Sequence, residues 1–558
     1  MKAALRVLVV AAVVALPVAL NGGPRGQTTP STVIVQLIAF NDFHGNLEPP
    51  SGSNGLINTI PAGGAQYLAA HVARAIAQNP NSIVVSAGDV VGASPLVSSL
   101  SHDEATIESM NAMGLAISSV GNHEFDKGVP ELLRLQRGGC HPVDGCSGEP
   151  FTGARFEYLA ANVVDTASGV TVLPATAVRT IGGVKIGFIG ETFRGTPRIV
   201  TPAGTKGLEF LDEAGTANAY AVRLKQQGVQ AIVLLVHEGG RQQADGGDLD
   251  PNACANFRGG IEPIASKLSA DISVVVSGHT HQFYNCHLSG HLVTSAGSAG
   301  RVITRIELSI DKASGRVIGA TATNEIVTRD VPADPAVGRI VGKYAALAEK
   351  KADVQVGVVA ADILRRTNAA GESALGDVIA DAMLDAVKAP ADGGAVVAFM
   401  NSGGIRADLV AKPARAAAPA GSVSYRDLFA VQPFGNTLAV VTMTGETIKR
   451  LLEQQFETGG RNVLQVSRGF TYRYRSSAPA GQRVESHSIA INGREITPTD
   501  AIRVVSLDFL LDGAGGFPVF REGTERITGI PDIDALVAYF RTHSPVAPGP
   551  GDRIIRVE

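Results

Sequence analysis

From Val33 to about Val327, short apolar runs alternate with amphipathic stretches, and most runs stop at a polar cluster. The runs at residues 33–40, 83–85, 117–120, 184–189, 232–236 and 274–276 are bounded by Gly, Asn, Asp or His, which predicts buried strands. Between the first two, Ala65, Leu68, Ala69, Val72 and Ile76 recur at near-helical spacing, predicting an amphipathic helix over residues 64–78. Strand, helix, strand alternation predicts an α/β domain with buried sheets, in which ligands bind where strands end and loops begin.

A polar stretch with two prolines, residues 330–335, precedes a helical pattern at 340–351, after which an apolar run at 354–359 opens a new series. The chain therefore divides into a first domain over 33–335, a linker helix over 336–352 and a second domain over 353–558. In the second, Leu375, Val378, Ile379, Ala382, Met383 and Val387 share one face of a helix predicted at 374–387, and strands are predicted at 396–400 and 502–507. It too reads as α/β. Residues 411–420 (AKPARAAAPA) read as an exposed Ala/Pro loop, and no internal repeat is visible.

Composition narrows the class. With 558 residues, 45% of them hydrophobic, and a net charge of -4, the chain can bury large cores and lacks the basic balance of a nucleic-acid polymer's partner. Lys2 and Arg6 precede an uncharged apolar run at 7–20, which Asn21, Gly22, Gly23 and Pro24 terminate, as in a signal peptide over residues 1–23. A periplasmic or secreted protein is expected, with an uncleaved N-terminal anchor as the alternative because no clean A-x-A cleavage site is visible, and no later stretch is apolar enough to insert the mature chain stably in a membrane. In an oxidising compartment, four cysteines allow three pairings; spacing favours Cys140 with Cys146, which leaves Cys254 with Cys286. A zinc site built from the four is disfavoured by the absence of C-x-x-C spacing.

Five polar clusters stand at predicted strand ends: Asp42-Phe43-His44, Gly88-Asp89, Gly121-Asn122-His123-Glu124-Phe125-Asp126, His237-Glu238 and Gly278-His279-Thr280-His281. Divalent metal sites combine imidazole with carboxylate, and a carboxylate such as Asp89 can bridge two ions where an imidazole cannot. Seven ligands with one shared would complete two four-ligand sites. Each cluster alone is a weak signal; their joint occurrence at successive strand ends is not. The other seven histidines, His102 and His141 among them, read as ordinary structural residues.

The ordered set D-x-H, G-D, G-N-H-E-x-D, H-E and G-H-T-H resembles the calcineurin-like metallophosphoesterases, and the chain from Val33 onward resembles the secreted bacterial 5'-nucleotidase family with its own C-terminal domain. The resemblance implies a first domain with two β-sheets packed between helices, an αββα sandwich with two divalent ions at one edge, and a separate α/β substrate-binding domain. It implies that Asp42, His44, Asp89 and His281 hold one ion and that Asp89, Asn122, His237 and His279 hold the other. Zn²⁺ and Mn²⁺ are among the ions that suit such mixed ligands. His123 would stabilise the transition state and leaving group, with Asp126 orienting its ring; a helix N-cap is the alternative role for Asp126.

Segments of the second domain resemble the family's nucleotide-binding parts. They imply that Phe434 and Phe509 stack the base, that Arg406 and one of Arg365 or Arg366 hold polar groups, that Asn436 reads a base edge, and that Asn401 lies in the same site. One departure stands out. Where the family reads G-G-D-G-[YF], this chain has Gly513-Ala514-Gly515-Gly516-Phe517, so an acceptor for the ribose hydroxyls is missing and a broader or shifted substrate preference is expected. The sequence thus predicts a phosphoesterase acting on nucleotides, with no protein partner evident. Sulfur-ester hydrolysis on the same scaffold and nucleotide capture without turnover are the alternatives. The paired phenylalanines disfavour the first, and the complete ligand set disfavours the second.

Overall fold

The computed structural model describes residues 32–50, 55–146, 150–200, 203–243, 250–411, 420–457 and 462–558. The predicted signal peptide and all but the ends of the Ala/Pro stretch lie outside these residues.

Two six-stranded sheets form the first domain. One runs in the order Val317–Ile326, Val302–Asp311, Thr32–Phe40, Ser82–Ser86, Leu115–Ser119, Glu157–Leu159, and its last four strands are parallel. The other runs Phe283–Leu288, His291–Ala296, Ile272–Ser277, Ala231–His237, Val184–Thr192, Thr176–Ile181, parallel through its centre. Their inner faces meet in one dry core that includes Val35, Leu37, Val85, Ile117, Phe188, Val233, Leu235 and Val276. Burying each such side chain contributes about 1.5–3 kcal/mol relative to leaving it in water. Helices Ala65–Gln78 and Glu104–Met113 cover the outer face of the first sheet, and Glu213–Gln226 covers the second.

All six runs predicted as strands in this domain are strands, each within two or three residues of its predicted ends. The interdomain helix starts earlier than its apolar pattern. It spans Pro335–Ala352, because Asp334 caps it by accepting from the N–H groups of Ala336 and Val337, and Pro335 occupies the first turn, where no donor is needed. It buries Val337, Tyr344 and Ala348 in the first domain's core, and the Tyr344 hydroxyl donates to Glu108 at 2.8 Å.

The second domain centres on a five-stranded sheet in the order Leu464–Val466, Val397–Asn401, Ala501–Leu507, Thr437–Thr444, Thr524–Pro531. The helix predicted at 374–387 is Ala374–Val387, capped by Ser373 and packed with Asp532–His543. Both disulfides form as the spacing favoured, Cys140 with Cys146 and Cys254 with Cys286.

Asp532 illustrates a cost built into this domain. It is 1% exposed, and burial pushes its carboxyl up to about 7. A folded pKa above the unfolded value means stability that is full in acid and lost as pH rises through about 7. The wild type is therefore expected to melt several degrees lower at pH 8 than at pH 6, and Asp532→Asn to flatten that difference in a thermal scan at both pH values. An unchanged slope would mean that the carboxyl is ionised in the fold.

Candidate functional site

Parallel strands place their C-terminal ends along one edge, and the predicted ligands gather there. Asp42 and His44 follow strand Thr32–Phe40, Asp89 follows Ser82–Ser86, Asn122 follows Leu115–Ser119, His237 closes Ala231–His237, and His279 and His281 follow Ile272–Ser277. Five of these seven, Asp42, His44, Asp89, His279 and His281, have left-handed backbone with φ between 49° and 70°. Non-glycine residues adopt that conformation at a cost, so the surrounding fold holds these side chains in place against local preference.

Hydrogen bonds set the histidine tautomers. His44 Nδ1 lies 2.9 Å from the Gly92 carbonyl and His237 Nδ1 lies 2.7 Å from the Ala87 carbonyl. A carbonyl only accepts, so each Nδ1 carries a proton and each Nε2 is turned inward. There His44 Nε2 meets His281 Nε2 at 3.0 Å, and the buried His237 Nε2 faces Asp89 Oδ2 at 2.9 Å. Imidazole nitrogens and carboxylate oxygens converging at these distances can be held together by protons or by a cation, so this donor set fits bound divalent metal. Asp89 Oδ2 is also 3.7 Å from His44 Nε2, a position between the two histidine groups suited to bridging. His279 Nδ1 sits 3.0 Å from Asn122 Oδ1, and His281 Nε2 is 3.3 Å from Asp42 Oδ1.

The electrostatics agree. Burial holds His44 well below the ordinary imidazole range, and burial together with the charge of His237 pushes His279 down to about 4, so both are neutral at neutral pH, the form a metal would need. Burial pushes Asp42 up, but His281 and His237 outweigh it and hold the carboxylate ionised. Burial likewise opposes the charge on His237, but Asp89 and Asp42 draw it up to about 10. In the absence of metal a proton satisfies that pair, and a metal ion entering there would displace it.

His123 Nδ1 is 2.7 Å from Asp126 Oδ2, and the backbone His123 N–H donates to Asp89 Oδ1 at 2.9 Å, so the pair and the Asp89 carboxylate are mechanically linked. Burial lowers the His123 pKa, while the charges of Asp126 and Asp89 raise it by more. Asp126 is not the N-cap of the following helix: Lys127 occupies that position before Gly128–Arg137.

The second domain brings two expected residues to this edge. The Phe434 ring stacks on His123 with centroids 5.7 Å apart, and the Arg406 guanidinium lies 5.7 Å from the Phe434 ring centre. Arg406 is close enough for its charge to depress His44 and His281. Arg426 pairs with Glu48 of the first domain and lies 3.6 Å from Asp353. Arg365 and Arg366 line a recess of about 740 Å³ with Thr367, Ser402 and Ile405. Asn401, nine-tenths buried at the end of its strand, has an unpartnered Oδ1. Asn436 turns its amide nitrogen toward Asp532 at 3.5 Å, and Phe509 is half-buried against the second domain's core beside Gly515. Gly515 has φ +67°, and a Cβ there would lie 3.1 Å from the Phe509 ring and 3.0 Å from Leu510. An aspartate at this position would therefore displace the ring as well as add an acceptor.

Three residues escaped the sequence reading. Glu124 accepts from the N–H groups of Gly121, Asp89 and Val90 at 2.6 to 3.0 Å, lashing two ligand loops together; its position inside the G-N-H-E-x-D run was the available signal. Asn41 donates to Asp42 Oδ2 at 2.6 Å, and Phe193 stacks on His279 at 5.1 Å, neither with any pattern to mark it.

Comparison with known proteins agrees with this architecture. The calcineurin-like phosphoesterase family matches residues 35–283, and the 5'-nucleotidase C-terminal domain family matches residues 350–522. A cell wall protein of Listeria monocytogenes is 32% identical over 93% of this chain and 68% of its own length. The endonuclease YhcR of Bacillus subtilis is also 32% identical over 94% of this chain, which spans only 41% of that longer protein. The crystal structure of a 5'-nucleotidase precursor from Thermus thermophilus superposes with a TM-score of 0.76 at 26% identity, covering 94% of this chain and all of that one. With both domains matched in order and a relative 32% identical over most of both lengths, the chain belongs to the calcineurin-like phosphoesterases that carry a 5'-nucleotidase C-terminal domain.

Proposed function

We propose that this protein hydrolyses nucleoside 5'-monophosphates to nucleoside and phosphate. The observation that carries the reading is the meeting of inward-facing imidazole and carboxylate donors at one sheet edge with an aromatic ring and a guanidinium from the second domain. The Thermus thermophilus nucleotidase, alike in both domains, supports the same chemistry.

Two bound divalent ions would supply Lewis acidity to the phosphoryl oxygens and a hydrolytic water of lowered pKa. Asp42, His44, Asp89 and His281 would hold one, and Asp89, Asn122, His237 and His279 the other. His123, kept protonated by Asp126 and Asp89, gives its proton to the departing 5'-oxygen, which makes the nucleoside a better leaving group. Asp126 accepts from Nδ1 throughout and so aims Nε2 at the leaving group. Phe434 offers a face to the base, with Phe509 as its partner, while Arg406, Arg365 or Arg366, Asn401 and Asn436 meet polar groups of the nucleotide. With Gly515 in place of the family aspartate, ribose recognition is weakened and the substrate range widens. Two disulfides, together with the signal-like N-terminus, support action outside the cytoplasm.

The test is phosphate release by metal-stripped protein resupplied with Zn²⁺, Mn²⁺, Co²⁺ or Mg²⁺ in turn. Nucleoside monophosphates, a nucleotide sugar, a dinucleotide and a 2',3'-cyclic nucleotide serve as substrates. Metal-dependent release is expected, strongest from 5'-monophosphates. Tight nucleotide binding without release under any metal would instead identify a capture protein.

A further inference from the structure

Beyond the edge just described, one more group of metal-type donors stands among the described residues: His102, His141 and Asp144. They come from two separate places in the chain. His102 sits in the turn between helices Leu96–Ser99 and Glu104–Met113, whereas His141 and Asp144 lie inside the hairpin closed by the Cys140–Cys146 disulfide. The two imidazoles stack with centroids 3.6 Å apart and planes within 5° of parallel. Asp144 Oδ2 lies 2.8 Å from His102 Nε2 and 3.6 Å from His141 Nδ1, and one donor atom from each residue falls within 4.8 Å of the other two.

The scaffold beneath them is rigid. Arg134, 9% exposed, is anchored by Glu104 at 2.6 Å and Glu131 at 2.8 Å. Its guanidinium donates to the His102 carbonyl at 3.3 Å and to the Gly139 carbonyl at 3.0 Å, tying together the two segments that carry the histidines. A reciprocal backbone pair between His141 and Gly145, at 3.1 and 2.9 Å, tightens the hairpin inside its disulfide. His102 itself has φ +48°, a left-handed conformation that holds its ring over His141.

His141 Nδ1 accepts from the backbone N–H groups of Val143 at 3.4 Å and Asp144 at 3.2 Å, so it carries a lone pair and no proton. The Asp144 carboxylate lies 3.6 Å from that nitrogen and 2.8 Å from His102 Nε2, so nitrogens of both rings border one carboxylate. A cation held by the carboxylate and the two rings would replace the His102 contact and the long N–H contacts to His141. We propose that His102, His141 and Asp144 form a further divalent-metal site, of the zinc class, that staples the disulfide hairpin to the turn between the two helices. Two imidazoles and one carboxylate are a borderline set suited to Zn²⁺, and the exposed side of Asp144 leaves room for water to complete the coordination. Binding tilts the stacked rings so that their lone pairs converge.

Counting bound zinc tests this without reference to turnover. The oxidised full-length chain is stripped, dialysed against micromolar zinc and analysed by atomic emission. Three ions per chain are expected for the wild type and two for His141→Ala, whose phosphate release is unchanged because the catalytic donors are untouched. Asp144→Asn, conservative and at an exposed position, is a second variant that preserves the fold and is expected to weaken retention of the third ion about tenfold or more. Two ions in wild type and variants alike would overturn the proposal. So would three in all of them, which would place the extra ion elsewhere.

Discussion

Asp89→Asn is expected to lower kcat/KM for a nucleoside monophosphate by about a thousandfold or more, some 4 kcal/mol of transition-state stabilisation. The size follows from position. Asp89 Oδ2 lies 2.9 Å from His237 Nε2 and 3.7 Å from His44 Nε2, close to both histidine groups; Asp42 Oδ1 also borders both but stands farther from His237, at 4.0 Å. Its other oxygen accepts the His123 N–H, and its backbone N–H is held by Glu124. An amide keeps the volume but removes the charge, so two bound cations would repel each other across a neutral group. The measurement is steady-state phosphate release at saturating Mn²⁺ together with the bound-metal count. Activity within tenfold of wild type would remove Asp89 from the bridging role.

His123→Ala is expected to reduce kcat by about a hundredfold to a thousandfold while leaving metal content unchanged. The loss should be largest for nucleosides, whose alkoxide leaves poorly, and small for a nitrophenyl ester, whose leaving group needs no proton. Equal losses on both substrates would assign His123 a structural role. Asp126→Asn is expected to act more mildly and through pH. Burial lowers the His123 pKa, but Asp126 and Asp89 raise it by more, so removing one of these charges lets it fall. The protonated acid then titrates earlier, and the basic limb of the kcat profile moves to lower pH.

Much of this cluster was legible in advance because strand ends and metal-type donor residues leave dense local marks. Asp42, His44, Asp89, Asn122, His237, His279 and His281 each stand within a few residues of an apolar run, and all seven converge. Residues whose task is to hold another residue were not legible. Glu124 and Asn41 act through backbone and side-chain partners distant in sequence, as in the Asn41 contacts to Gly297 and Ala296. His102 and His141 read as ordinary because their spacing of thirty-nine residues has no periodic meaning; the fold and one arginine bring them into contact. The early start of the interdomain helix shows the same limit at short range. Pro335 looks like a breaker until Asp334 is seen to cap the helix in front of it.

The sequence by itself determined the α/β class, the division into two domains and the chemical identity of the candidate donors. These follow from hydrophobic period and residue type, which are local properties. Only the tertiary structure decided which ring nitrogens face each other, because tautomer and approach depend on carbonyls such as Gly92 and Ala87, contributed by other loops. It alone placed Phe434 over His123, since that contact joins two domains. It also showed that Gly515 lies against Phe509, so that the missing aspartate and the stacking ring cannot be varied independently. Hydrophobic pattern is written along the chain one residue at a time, whereas electrostatic convergence exists only between segments that the core has already brought together.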